Sequence, residues 1–162
     1  MLISAIASLI LVLAGGTPSK PTFDAYPAAK PSGRSASKLD FRADPRARRF
    51  RTQLERALGR PANFAGHYVV VDWGCGSSCQ AVGLVDVDTG VARLTISTGL
   101  GSEYRADSRL FIDSPEAAVR DACPGQPCIF STRYFVWEEK NKAFQMLDEG
   151  GRAAVGGGTR GP

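Results

Sequence analysis

The sequence predicts an all-β domain, mainly antiparallel, of about seven strands arranged as a sandwich or twisted meander, with one N-terminal amphipathic helix. Three observations predict it. Short apolar, β-branched runs recur between residues 68 and 147, and turn residues separate them. Eighteen glycines and ten prolines favour turns over long helices. The stretch from His67 to Gly90 reads as two strands joined by a tight loop with a cysteine at each end. A length of 162 residues suits one domain with a sizeable core.

In chain order, residues 1–16 read as a secretory signal. Leu2 to Leu13 is apolar apart from two serines, too short to span a bilayer, and small residues follow it. Residues 17–39 carry Pro18, Pro21, Pro27 and Pro31 among polar and small residues, which predicts a disordered linker. A globular domain then runs over 40–148, and 149–162 is a glycine-rich flexible tail. The mature chain carries no transmembrane span, and the reading places it in the bacterial periplasm or outside the cell.

Within the domain, Asp44-Pro45 predicts a helix start, with Asp44 as N-cap and proline at the first helical position. Ala47, Phe50, Leu54, Ala57 and Leu58 form one apolar stripe, and Gly59 ends it. The opposite side is rich in arginine. Tyr68 to Val71 is nearly continuous in apolar residues and predicts a strand covered on both faces. The return strand, residues 80–87, contains Gly83, a bulge or close-approach point. Asp88-Thr89-Gly90 is a hairpin loop with glycine in the left-handed position. Ala92, Leu94 and Ile96 alternate along a half-exposed strand. Residues 97–108 read as a long loop, 109–112 as a short strand and 113–122 as a turn or helical turn. Strands over 129–137 and through Phe144 and Met146 complete the set.

Four cysteines lie outside the signal, and an exported chain with an even count points to disulfides. Local pairing, Cys75 with Cys79 and Cys123 with Cys128, is preferred because each pair brackets a loop rich in Gly, Ser or Pro. Cross-pairing between the loops stays open as the competitor. The spacing lacks the Cys-x-x-Cys knuckles of structural zinc, and no βαβ pattern accompanies it as in thiol oxidoreductases. No metal and no cofactor is expected.

Residues 17–65 hold eleven Lys/Arg against four Asp/Glu, while residues 66–150 hold seven against twelve. The aromatics of the basic arm, Phe23, Tyr26, Phe41, Phe50 and Phe64, are not read as a base-stacking set, so nucleic acid is disfavoured as a partner. A single histidine, His67, excludes two-histidine zinc motifs. Asp88-Thr-Gly90 matches the aspartic-protease triplet but serves equally as a turn. Asp86-x-Asp88 lacks the other oxygens of a calcium loop, and Gly99-Leu-Gly101 lacks the third glycine of a dinucleotide site. No catalytic residue is assigned.

The segments Asn63-Phe-Ala-Gly-His-Tyr68, Trp73-Gly-Cys-Gly-Ser-Ser-Cys79, Asp88-Thr-Gly90, Asp107-Ser-Arg-Leu110 and Thr132-Arg-Tyr-Phe-Val-Trp137 resemble those of a family of bacterial exported proteins with an N-F-A-G-H-Y…W-G-C-G-x-x-C signature. The resemblance spans about residues 60–147. It implies export and a β-rich fold and brings no established activity.

Function follows by weighing what is present. The leading expectation is an exported, disulfide-stabilised binding module of the cell envelope: an inhibitor, an immunity protein or an accessory subunit. Its partner is a protein or another envelope component. His67, Asp72, Trp73, Ser77 and Ser78 are the candidate binding surface, with Trp73 as aromatic anchor. The alternative is a small envelope enzyme using His67, with Asp72, and a reduced cysteine.

Overall fold

A computed structural model describes residues 19–154. The predicted signal at 1–16 and the end of the predicted tail, 155–162, lie outside the described residues. The fold is mostly antiparallel β, with seven strands in two sheets. The first sheet has the order β1-β2-β3, with β1 at Tyr68–Gly76, β2 at Cys79–Asp86 and β3 at Ala92–Thr98. The second has the order β4-β5-β6-β7: Ser102–Tyr104, Leu110–Asp113, Arg133–Glu138 and Ala143–Leu147.

Alternation along β1 explains why its apolar run is unbroken. Tyr68 and Val70 point to one side and enter a core shared with Phe111, Phe135, Trp137 and Phe144 of the second sheet. Val69 and Val71 point to the other side and meet Leu54, Ala47 and Ala57 of the helical segment. Both faces are thus covered, as the sequence predicted. Phe64 is fully buried between the sheets, edge-on to Tyr104 and Phe111.

Gly83 is where the helical segment presses closest. A Cβ there would lie 2.6 Å from Leu54 Cδ2 and 3.2 Å from Trp73. The register between β2 and β3 also shifts between Ala81 and Gly83, so both predicted roles of this glycine are present. Gly90 closes the β2–β3 turn at φ +75°. The Asp86 carboxylate accepts the Asp88 and Thr89 amides in that turn.

The predicted amphipathic helix is corrected. Ala47, Leu54 and Ala57 of its stripe are buried and Phe50 and Leu58 partly so, but the backbone is a run of short turns: 3₁₀ at Pro45–Phe50, α1 at Arg51–Leu54 and 3₁₀ at Glu55–Ala57. Asp44 does not cap it. The Asp44 carboxylate accepts the Leu94 amide of β3 at 3.0 Å and pairs with Arg46. Without a cap, and with arginines three apart at 46/49 and 48/51, local helix preference is weak. Packing of Ala47 and Leu54 against the sheet then decides the path. Gly59, at φ +73°, does end the segment.

The predicted disordered linker is also corrected, for residues 19–39. This strap runs across both sheets. Phe23 and Tyr26 pack on Leu110, Tyr134, Val136 and Leu147 behind the second sheet, and Ala36 enters the core behind the first. Its backbone bonds to the domain at Ala28–Asp107, Ser32–Gly66 and Arg109–Tyr26, and the Ser108 hydroxyl donates to the Phe23 and Tyr26 carbonyls. Prolines that looked like disorder lower the entropy lost on docking an extended chain. The beginning of the predicted tail is docked as well. Tyr26 donates to the Gly151 carbonyl, and Ala153 bridges Leu147 beside β7.

Two further expectations change: the long loop at 97–108 contains β4, and the strand expected over 129–137 starts only at Arg133. The helical turn expected to run to Ala122 is present as α2, Glu116–Ala122. Among the described residues no helix is long and apolar enough to cross a membrane.

Candidate functional site

Both local disulfides are formed: Cys75–Cys79 with Cα atoms 5.2 Å apart and Cys123–Cys128 with 5.5 Å. No cysteine is free. The first bridge ties the tip of the β1–β2 hairpin, where Gly76 at φ +141° and Ser78 at φ +51° make the reversal.

The five residues of the predicted binding surface separate into two places, because β1 carries them to its opposite ends. At roughly 3.3 Å per residue, His67 is about 25 Å along the strand from Cys75. His67 Nε2 lies 3.4 Å from Glu139 and 3.9 Å from Asp86, inside a connected polar cluster. Glu139 also accepts the Tyr68 hydroxyl at 3.2 Å and the Trp137 indole at 2.9 Å, and it pairs with Lys142. Burial, with the Asp86 charge beside it, pushes the Tyr68 phenol up to about 12. The His67 ring also packs on Tyr68, with ring centroids 4.2 Å apart. It sits far from every sulfur of the hairpin tip, and those sulfurs are bonded to each other, so the pairing that the enzyme alternative needs is not assembled.

Trp73 and the loop form the other place. Trp73 extends from the face of β1 that carries Val69 and Val71, and its ring centroid lies 5.2 Å from that of Phe50. Between this pair and the Cys75–Cys79 bridge is a groove of about 740 Å³, open on one side, with Ala81 in its lining. Arg49, Thr52 and Gln53 of the helical segment line the opposite wall. Asp72 points to the other face of β1, and its carbonyl is taken by Arg56 at 3.2 Å. Ser77 and Ser78 are exposed at the tip. Trp73 therefore joins the disulfide in one site, Ser78 lines a neighbouring cavity, and Asp72 faces away.

Sequence reasoning missed Phe50, Arg49 and Gln53 as partners of Trp73. The signal for Phe50 was present as part of the apolar stripe, where it read as core. Among the described residues no group of three His, Cys, Asp or Glu side chains is placed to hold a metal ion. The chain matches no protein-family model, no curated protein and no solved structure, so the signature resemblance stands on its own residues.

Proposed function

We propose that the protein is an exported binding module of the bacterial envelope, acting in the periplasm or outside the cell. Its binding site is the Trp73 groove, and the partner is a protein that inserts an apolar side chain there. One observation carries this reading: Trp73 is only partly buried, against Phe50, in a groove whose end is fixed by a disulfide. A pre-shaped aromatic site loses little entropy on binding, and such anchors dominate interface energetics. The rim supplies Arg49, Thr52 and Gln53 for polar contacts around that anchor.

Photo-crosslinking in an exporting bacterial host tests it. A benzophenone amino acid at Thr52, on the groove rim, is expected to give one discrete adduct. The same group at exposed Asn141, near the His67 end, is expected to give none. Adding Trp73→Ala, or replacing both Cys75 and Cys79 with serine, is expected to abolish the Thr52 adduct. No adduct, identical adducts from Thr52 and Asn141, or an adduct indifferent to Trp73 would each overturn the assignment.

A further inference from the structure

We propose that a second cavity, between the two disulfide-bounded loops, binds a small organic carboxylate through Arg133. The cavity holds about 340 Å³, within the range of small-ligand sites. One wall is Ser78 and Cys79 of the hairpin tip; the other is Ile129 to Ser131, directly after Cys128. It shares only Cys79 and Ser97 with the Trp73 groove, so it does not rest on the function proposed for that groove.

Its base is Asp113, which is fully buried. That carboxylate accepts the Gly99 amide at 3.1 Å, the Ser114 hydroxyl at 2.8 Å and Arg133 Nε at 2.7 Å, and Arg133 Nη2 also pairs with it. A charge removed from water needs such a saturating set. The set fixes the guanidinium by one edge. Nη2 reaches the Ser97 carbonyl at 3.4 Å, while Nη1 has no hydrogen-bond partner among the described residues. The Arg133 side chain remains about half exposed. A guanidinium fixed by its Nε/Nη2 edge, with the two N–H groups of Nη1 uncommitted, is arranged to donate from Nη1 to a second carboxylate.

The lining agrees with that use. Ser78 and Ser131 bring hydroxyls. Thr98 Oγ1 is the one buried side-chain polar atom without a partner among the described residues, and Thr98 lines this cavity. Among the described residues, two of the four non-glycine residues at positive φ, Ser78 and Ser114, are here, and such strain gathers at functional sites. Gly99 lets the backbone approach Phe130, since a Cβ would lie 2.9 Å from its ring. Ile129, 93% exposed, and Phe130 offer apolar contact to the body of the ligand. Because Asp113 already cancels the charge of Arg133, a monoanion fits better than a doubly charged phosphate. A peptide α-carboxylate and a sugar carboxylate both supply this chemistry.

Amide NMR titration of the oxidised protein tests it with N-acetylleucine, N-acetylleucinamide, glucuronate and inorganic phosphate. At least one of the two acids is expected to shift Gly99, Leu100 and Ser131 saturably, with N-acetylleucinamide and phosphate at least about tenfold weaker. Preference for N-acetylleucine assigns a peptide terminus, and preference for glucuronate a sugar. Arg133→Lys, which keeps a cation beside Asp113, is expected to weaken binding about tenfold while the remaining spectrum is preserved. If that variant fails to fold, Ser131→Ala, at an exposed position, is expected to weaken binding several-fold, about 1 kcal/mol for one lost hydrogen bond. Three results would overturn the proposal: no saturable shift with either acid, equal binding of the amide or phosphate, or affinity unchanged in the folded variant.

Discussion

The two ends of β1 use the same kinds of side chain in opposite ways. At the Tyr68 end, polar groups are consumed by one another: Glu139 takes the Tyr68 hydroxyl, the Trp137 indole and Lys142, with His67 against it. The aromatic bodies there are buried. At the Cys75 end, Trp73 is only partly buried, Arg49 has no ion-pair partner among the described residues, and a covalent bridge adds to burial as a source of order. A saturated cluster has little left to offer a ligand. A site must keep some of its groups uncommitted and obtain its rigidity elsewhere, which is what a disulfide across a five-residue loop provides.

The largest way to test this contrast is to break the closed end. Glu139→Ala leaves the buried Tyr68 hydroxyl and Trp137 indole without their acceptor and frees Lys142. Each stranded donor costs roughly 1–3 kcal/mol, so a loss of about 3 kcal/mol is expected in urea unfolding. Adduct formation at Thr52 should persist in the folded fraction. A stability change below about 1 kcal/mol would mean that water replaces Glu139 and that this end is less closed than its geometry indicates.

How much of this was legible in the sequence depends on whether the deciding contact is local. Val69 and Val71 had to face one layer and Tyr68 and Val70 another, because alternation leaves no choice along an apolar strand. The local disulfides were legible for a similar reason, since each loop is too short to hold its cysteines far apart. The Asn63-Phe-Ala-Gly-His-Tyr68 signature turns out to be structural: Asn63 Oδ1 accepts the Val70 amide, Phe64 plugs the core, and Gly66 at φ +84° lets Ala29 of the strap approach.

What was not legible required knowing how distant segments meet. The strap docks through backbone pairing and widely spaced Phe23, Tyr26 and Ala36, which make no periodic pattern. Asp113 and Arg133 are direct partners across β5 and β6, yet twenty residues separate them, and only the register shows the pair. Phe50 carried the right signal with two meanings, since an apolar stripe residue can end in the core or at its edge.

A smaller perturbation acts midway between the ends. Gly83→Ala puts a Cβ 2.6 Å from Leu54 Cδ2, an overpacking expected to cost about 2 kcal/mol. Leu54→Ala alone leaves a void beside the sheet and costs about 3 kcal/mol. The double variant should be more stable than the sum by at least about 1 kcal/mol, because the smaller side chain relieves the clash. The new methyl also lies within 3.3 Å of two Trp73 ring atoms, so the emission of Trp73 should change in Gly83→Ala. Strict additivity with unchanged emission would show that Leu54 and Trp73 do not meet over this glycine, and the groove would lose its back wall.

The smallest expected effect concerns acid. Burial pushes the Asp44 carboxyl up, but hydrogen bonds from Arg46 and the Leu94 amide, with the charge of Arg46, outweigh it and hold the group below the ordinary carboxylate value. Asp44 fastens the helical wall of the groove to β3. A folded pKa below the unfolded value of about 3.9 means that its contribution is complete above that pH and is lost as pH falls through the folded pKa. Between pH 7 and pH 3 the wild type should therefore lose more stability than Asp44→Asn, which keeps the shape without the charge. Thr52 and Gln53 amides should also gain hydrogen exchange at pH 3, relative to pH 7 and after correction for the intrinsic rate, before those of Trp137. Equal pH dependence in the two proteins would place the acid sensitivity elsewhere, and uniform loss of protection would show that the groove wall and the closed end unfold as one unit.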